Sequence, residues 1–513
     1  METSKIYGIC MGGLLALLVF TSFLHSVAKI AHAKARMFFL RDLYYALLPS
    51  WSCSSYCASW HEILLFLGFI IANVCCVTIG LNDITEFTKR LGHAALINLV
   101  PLCSGVHMNR LIGRKTLAYK YYPRFHRWLG AVVIVEAALH SVLAAVRNGV
   151  DLNQSPYVAG VIVIIGSISI LSLPVLWSWM YEVFSCIHSA LAASLVTALW
   201  VHLGPFHFSH TPKIYLFIAS LTLLCTKVLG FIRMLYFNVS LRGMSTALIQ
   251  QTGAGVELRI SLARPFDYRA GQFVYLNIPR LAVLELHPFQ VSWAYLGDDG
   301  RQVIVLLVQP RHGFTRRLLL ADPNMDYRVF VEGPYGGGIK IDKYGTVLLF
   351  ATGIGIAGQL PYVKELLDLY RGWRANVRRI ALFWELESEV HRYWIREYMD
   401  ELLALDTDYI LDIKLFICGQ FLNKDATEET VLKRGQHGRI VLHYTPMKPE
   451  SLINSEIQER KGRTLISICT DIQTTRVITR IVRFMLDKDI DMEELDFQPW
   501  APKKAREQRV EGT

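Results

Sequence analysis

His126 and His140 lie on one apolar stretch of this chain and His188 and His202 on another, and in each pair the separation is fourteen residues. At about 100° per residue, fourteen residues come close to four full turns, so each pair shares one helix face. Neutral imidazole is a metal ligand, and an imidazole placed in hydrocarbon is costly unless it has a partner. One such histidine alone would read as a hydrogen-bonded core residue. The same spacing occurring twice predicts two helices side by side that clamp two metal centres between facing histidines. With a rise of about 1.5 Å per residue, the two centres lie roughly 21 Å apart along the helix axis, one near each bilayer surface. Bis-imidazole ligation of haem iron fits this arrangement and makes it a path for electrons across a membrane.

A second chemistry sits in the C-terminal half. The apolar run Thr346 to Ala351 reads as a strand; Gly353-x-Gly355-x-x-Gly358 follows at once, and Leu360 to Tyr370 has helical periodicity. A glycine-rich turn lets backbone approach a pyrophosphate, and the helix start supplies amides and a positive dipole end, so the unit predicts dinucleotide binding. Further strand-like runs at Arg379 to Trp384, Ile413 to Ile417 and Leu465 to Cys469 alternate with helical segments, as a parallel sheet requires. Upstream, from about 245 to 340, short runs such as Gly255 to Leu262, Gln272 to Leu276 and Val303 to Val308 alternate with Gly and Pro punctuation and read as a small antiparallel barrel. Three short elements stand out in it: Ala270-Gly271-Gln272, His287-Pro288-Phe289-Gln290 and Gly313-Phe314-Thr315. Taken singly, the last two read as a rigid turn beside a strand and a hairpin residue with positive φ.

The elements that must carry these groups follow from composition. The 513 residues are 52% hydrophobic with mean hydropathy +0.31, too long for one domain and too apolar for an ordinary soluble protein. Apolar runs near 7–24, 62–80, 92–106, 126–146, 158–178, 183–204 and 214–235 predict about seven spans, of which 92–106 is the shortest. Lys29, Lys34, Arg36 and Arg41 after the first run, and Arg110, Arg114, Lys115, Lys120 and Arg124 before the fourth, place both loops in the cytoplasm. The N-terminus then lies outside and the C-terminal half in the cytosol. Ala31-His32-Ala33 resembles a signal-peptide cleavage site, but removing the first run would break this parity, so it reads as a retained anchor. The net charge of +10 matches positive-inside loops, an anionic leaflet and anionic dinucleotides, with no pattern for nucleic acid. Ten cysteines are scattered, with Cys10, Cys75, Cys76 and Cys225 inside apolar runs and Cys53 and Cys57 on the cytosolic side, and predict no disulfide framework. The sequon Asn153-Gln154-Ser155 falls in an outside loop, followed by Pro156.

With these motifs assembled, the chain resembles the ferric reductase and NADPH oxidase superfamily, most of all its fungal ferric-chelate reductases, over about residues 60 to 500. The resemblance rests on His126-Arg127-Trp128-Leu129-Gly130, His287-Pro288-Phe289, Val331-Glu332-Gly333-Pro334-Tyr335-Gly336, the glycines 353–358, Phe383-Trp384-Glu385-Leu386 and Phe497-Gln498-Pro499-Trp500. It implies a multidomain membrane protein: an all-α haem-binding bundle over 1–240, an FAD-binding β-barrel over 241–342 and an NAD(P)-binding α/β domain over 343–513, the last two ferredoxin-reductase-like. It implies that His126 and His188 hold an inner b-type haem and His140 and His202 an outer one, first paired with first because one span separates the two helices. Gln272, His287, Pro288, Phe289, Gln290, Gly313, Phe314 and Thr315 would hold FAD, and Gly353, Gly355, Gly358, Glu387, Cys469 and Trp500 the nicotinamide nucleotide. Electrons would pass from NADPH, or NADH, through FAD and two haems to a ferric chelate or siderophore-bound iron across the plasma or vacuolar membrane, in support of iron uptake, with cupric copper as a further acceptor.

The sequence departs from the family at three points. Gln290 stands where a Ser or Thr hydroxyl usually faces the isoalloxazine, and Cys469-Thr470-Asp471 stands where Cys-Gly-Pro is usual. Glu387 stands where many relatives have an Arg for the 2′-phosphate, with Arg392 nearby, so NADPH is favoured over NADH only by the resemblance. Two rival readings are an NADPH oxidase that delivers its electron to dioxygen, and a haem-binding membrane receptor or carrier with a vestigial soluble half. The 204–213 loop carries His207 and His210 at the outer end, where solvated loop histidines are the simpler reading.

Overall fold

The computed structural model describes residues 5, 7–9, 11–13, 38–46, 59–104, 122–148, 165–168, 181–204, 207–241, 243–253, 255–282, 286–311, 313–418, 431–434, 439–486 and 489–495. It divides into two compact units, one of residues 1–31 and 61–232 and one of residues 32–60 and 233–513. Trp500, the 497–500 motif, Asn153, Cys10, Cys53, Cys57, Lys29, Lys34, Arg36 and the basic residues 110–120 lie outside the described residues.

The first unit is helical. Its described helices are α1 (Trp60–Thr78), α2 (Ile84–Cys103), α3 (Tyr122–Asn148), α4 (Tyr181–His202) and most of α5 (Thr211–Asn238). Trp60–Thr78, Arg124–Arg147 and Thr211–Asn238 are long and apolar enough to cross a bilayer, and Cys186–His202 is a shorter apolar stretch. These coincide with four of the seven predicted runs; the first and fifth runs lie mostly outside the described residues. The third differs from its expected bounds: α2 starts eight residues earlier, because Asp83 caps it by accepting from the Glu86 amide at 2.7 Å. Its first turns are therefore polar, with Glu86 and Arg90 paired at 2.6 Å. α2 packs against α3.

The second unit contains two seven-stranded sheets. After the short pair β1 (Val239–Ser240) and β2 (Gly243–Met244) come β3 (Thr246–Thr252), β4 (Gly255–Ser261), β5 (Phe273–Asn277), β6 (His287–Leu296), β7 (Gln302–Val308), β8 (Tyr327–Arg328) and β9 (Phe330–Tyr335), in the order β8-β3-β4-β7-β6-β5-β9 with all pairings antiparallel. The alternating strands turn one face inward, onto Leu258, Ile260, Val274, Leu276, Ile304 and Leu306. Helix α6 (Phe314–Leu319) sits against that core through Phe314 and Leu318.

The other sheet is the predicted parallel one. Its strands are β10 (Thr346–Thr352), β11 (Arg379–Leu386), β12 (Leu411–Ile417), β13 (Val431–Arg434), β14 (Ile440–His443), β15 (Thr464–Cys469) and β16 (Ile490–Glu494). They run in the order β13-β14-β12-β11-β10-β15-β16, parallel except at β13. Every residue of β10 and β15 is buried, as a strand covered on both faces requires. Helices α7 (Ile356–Arg371), α8 (Arg396–Leu405), α9 (Pro449–Gln458) and α10 (Ile472–Arg483) complete the layers. A π-helical turn at Phe39–Tyr44 belongs to this unit too: Leu40 and Tyr45 join the core with Ile468, Ile478 and Met492, and the Tyr45 hydroxyl donates to the Met492 carbonyl at 3.0 Å.

Candidate functional site

In the helical unit α3 carries His126 and His140 and α4 carries His188 and His202. The rings of His126 and His188 meet edge to face, with centroids 6.2 Å apart and planes at 73°. Two metal–imidazole bonds of about 2 Å each, plus the nitrogen-to-centre distance of each ring, about 1.2 Å, place the centroids of a linear bis-imidazole site about 6.4 Å apart. The observed pair fits a metal held between them. Phe184 stacks on His188 at 5.4 Å, and among the described residues the His188 Nδ1 has no hydrogen-bond partner.

His140 is oriented by the neighbouring helix. Its Nδ1 lies 2.7 Å from the Thr88 carbonyl oxygen, which can only accept, so the proton is on Nδ1 and Nε2 keeps its lone pair. Gly92 makes room for the ring: a Cβ there would stand 3.0 Å from both Nδ1 and Cε1 of His140. His202, at the exposed end of α4, is within electrostatic reach of His140.

In the barrel, His287 and Phe314 stack face to face, with centroids 4.4 Å apart and planes at 6°, and Phe289 lies 6.2 Å from Phe314. Pro288 is exposed between them. Gly313 opens α6 at φ 58°, and Thr315 Oγ accepts from the Arg311 amide at 2.9 Å. These two elements, distant in sequence, thus meet at one edge. The two glutamines are placed differently. Gln272 is 2% exposed; its Oε1 accepts from the Arg269 amide at 2.9 Å and its Nε2 donates to the Gly336 carbonyl at 3.3 Å. Gln290 is buried and donates to the Gln272 carbonyl at 2.9 Å. Both side chains tie the barrel to itself, which explains how the amide at position 290 replaces a hydroxyl without a vacant polar group. Gly271, at φ 82°, leaves space for the Tyr362 hydroxyl of α7, which an added Cβ would meet at 1.9 Å.

In the parallel sheet the strand order reverses between β10 and β15, and the crevice at such a switch point is where ligands of this architecture bind. Gly353 turns out of β10 at φ 51° with open space around its Cα. The Trp384 indole N–H donates to its carbonyl at 2.8 Å. Gly358 lets α7 approach β15: a Cβ there would stand 3.1 Å from the Cys469 Sγ and 3.0 Å from Leu495. Cys469 is fully buried, and burial pushes its thiol well above its ordinary range. Asp471 caps α10, accepting from the Gln473 amide at 3.0 Å and the Thr474 hydroxyl at 2.8 Å, while its own amide donates to the Thr352 hydroxyl at 2.7 Å. The acidic residue of this departing turn is thus engaged as a helix cap. Glu387 is exposed just past β11, where its charge reaches Arg311 and His391. Arg392 is occupied by Glu389 at 2.8 Å. Arg311 is the neighbour that sequence reasoning missed, because it comes from the barrel.

Comparison with known proteins agrees with this reading. Residues 242–338 match the family model of an FAD-binding domain, and residues 344–470 that of the ferric reductase NAD binding domain. A probable cell surface ferric reductase of Aspergillus oryzae is 29% identical over 243 residues, 44% of this chain and 31% of that protein. Ferric reductase transmembrane component 5 of Saccharomyces cerevisiae is 24% identical over 342 residues, 63% and 47% of the two chains. A respiratory burst oxidase homolog of Solanum tuberosum is 26% identical over 206 residues, 34% of this chain and 24% of that protein. The chain spans less than half the length of these relatives. Among solved structures, the cytochrome b5 reductase domain of Ulva prolifera nitrate reductase aligns over 49% of this chain and 96% of its own, at 11% identity and a TM-score of 0.36. The chain thus carries an FAD-binding domain and a ferric reductase NAD binding domain behind a helical unit with apolar helices long enough to cross a membrane.

Proposed function

We propose that this chain belongs to the ferric reductase and NADPH oxidase family and is a transmembrane ferric-chelate reductase, drawing on cytosolic NADPH or NADH and reducing ferric iron, or cupric copper, on the opposite side of the membrane. Bound FAD converts hydride into single electrons, and two bound haems carry these electrons across the bilayer. His126 and His188 hold the inner haem and His140 and His202 the outer one. His287, Pro288, Phe289, Gly313, Phe314 and Thr315 form the flavin edge, with Gln272 and Gln290 stiffening the strands beneath it. Gly353, Gly355 and Gly358 admit the pyrophosphate, Cys469 underlies the helix there, and Glu387 contacts the nucleotide; Trp500, outside the described residues, is assigned to the nucleotide by resemblance alone.

The observation that carries the proposal is the 6.2 Å pairing of His126 with His188 on two apolar helices of a chain that also has flavin and nicotinamide domains. Orientation is supported by the Phe39–Tyr44 turn, which follows the first apolar run and belongs to the same unit as the nucleotide sheet, so both stand on one side of the membrane. The domain limits 1–240, 241–342 and 343–513 remain part of the proposal, as do seven spans and the plasma membrane.

The second reading, an oxidase reducing dioxygen, is favoured by the respiratory burst relatives. Membranes supplied with NADPH, a ferric chelate and oxygen distinguish the two. Iron reduction that superoxide dismutase leaves unchanged supports the reductase, and iron reduction abolished by superoxide dismutase supports the oxidase.

A further inference from the structure

The helical unit holds a polar cluster that the electron path does not use. Glu136 lies on α3 between its two histidines, ten residues after His126 and four before His140. It is 5% exposed, and Asn98 on α2 is 0% exposed. The Asn98 amide donates to Glu136 Oε2 at 2.9 Å and to Asn73 Oδ1 at 2.8 Å. Asn73, on α1, also accepts from the Tyr7 hydroxyl and donates to the Phe69 carbonyl at 2.8 Å. Two atoms are left over among the described residues: Glu136 Oε1 and Asn98 Oδ1 have no partner.

Both are acceptors if Glu136 is ionised. Flipping the Asn98 amide does not help, since its oxygen would then face two other oxygens. A single proton on Oε1 turns one of these two acceptors into a donor, so that the cluster no longer holds two unmatched acceptors on side chains already bonded to each other. Tyr7 cannot supply that hydrogen, because its hydroxyl serves Asn73. Cations near the helix ends are engaged elsewhere: Arg90 with Glu86, and Arg124 with Glu62. The other titratable and charged groups on the packed elements are His61, Cys75 and Cys76 on α1, Lys89, His93 and Cys103 on α2, and Tyr122, His126, Arg127, His140 and Arg147 on α3 itself. A carboxyl group held this way inside an apolar bundle is a functional group by default.

We propose that Glu136 and Asn98 form a proton-binding site within the membrane unit, filled while an electron occupies the adjacent haem and emptied when that electron moves on. The inference rests on the proposed ligation of haem by His126 and His140. As one electron enters the unit from the cytosolic flavin side, Glu136 takes one proton from water and an O–H bond forms at Oε1. As the electron leaves toward the outer acceptor, that bond breaks and the proton returns to water. Charge inside the low-dielectric bundle is thereby kept constant.

The test uses the full-length protein in detergent with its bound haem. The infrared spectrum shows a protonated-carboxyl band that grows on reduction and is missing from Glu136→Gln. The midpoint potential of one haem falls by up to about 59 mV for each tenfold drop in proton concentration. In Glu136→Gln it is independent of pH. A wild-type potential that ignores pH, or a wild-type spectrum with no protonated-carboxyl band, overturns the proposal. If no haem is bound, the haem assignment fails on its own, and the carboxyl band alone decides whether Glu136 holds a proton.

Discussion

The indole N–H of Trp384 donates to the carbonyl oxygen of Gly353 at 2.8 Å, joining the second strand of the nucleotide sheet to the turn that leaves the first. The bond fixes the glycine turn where a pyrophosphate would lie. A buried hydrogen bond of this kind contributes about 1 kcal/mol. Trp384→Phe keeps the ring and removes the donor, so KM for NADPH rises about five- to tenfold. The flavin and haem spectra stay unchanged, and steady-state kinetics with both nucleotides check this.

Glu387 is expected to discriminate against a 2′-phosphate. Glu387→Arg places a second guanidinium beside Arg311, and the preference for NADPH over NADH in kcat/KM rises roughly tenfold at low salt, less as screening grows. An unchanged ratio would mean that the side chain faces solvent and not the ribose.

Phe289 flanks the stacked pair of His287 and Phe314. Phe289→Ala weakens FAD retention on gel filtration and leaves the haem absorbance intact, because Phe289 and the four histidines lie in separate units. Full flavin occupancy with a normal rate would move the flavin to another edge.

His391 stacks on Trp394 at 4.4 Å, and burial lowers its pKa below the ordinary value, with Glu387 opposing. The folded state thus disfavours the charged imidazole. Its contribution to stability is complete above the unfolded value near 6.5 and is lost as pH falls below it. The temperature at which FAD fluorescence is released should drop between about pH 7.5 and pH 5.5, and His391→Phe should reduce that drop.

Much of this was legible from local pattern. The strand, glycine turn and helix at 346–371 are contiguous, so periodicity and glycine spacing display them directly. The paired histidines are legible because a helix repeats its face regularly. Contacts between distant segments are not: Trp384 reaches Gly353 across 31 residues, Arg311 comes to Glu387 from another domain, and the bonds of Gln272 and Gln290 to backbone leave no trace in the sequence. Glu136 left one faint signal, a lone acid between two histidines in an apolar run, but its partners Asn98 and Asn73 lie on other helices. Asp471 reads in the sequence only as a departure from Cys-Gly-Pro and is a helix cap in the fold.

The most direct measurement of the central claim is haem stoichiometry in the purified full-length protein. Pyridine haemochrome absorbance, normalised to FAD, is predicted to give two haems per chain in wild type and one in His140→Ala. In that variant NADPH still reduces the flavin, and iron reduction across the membrane stops. Haem content that is the same in wild type and His140→Ala, or a wild-type protein that reduces iron with no haem bound, would contradict the account.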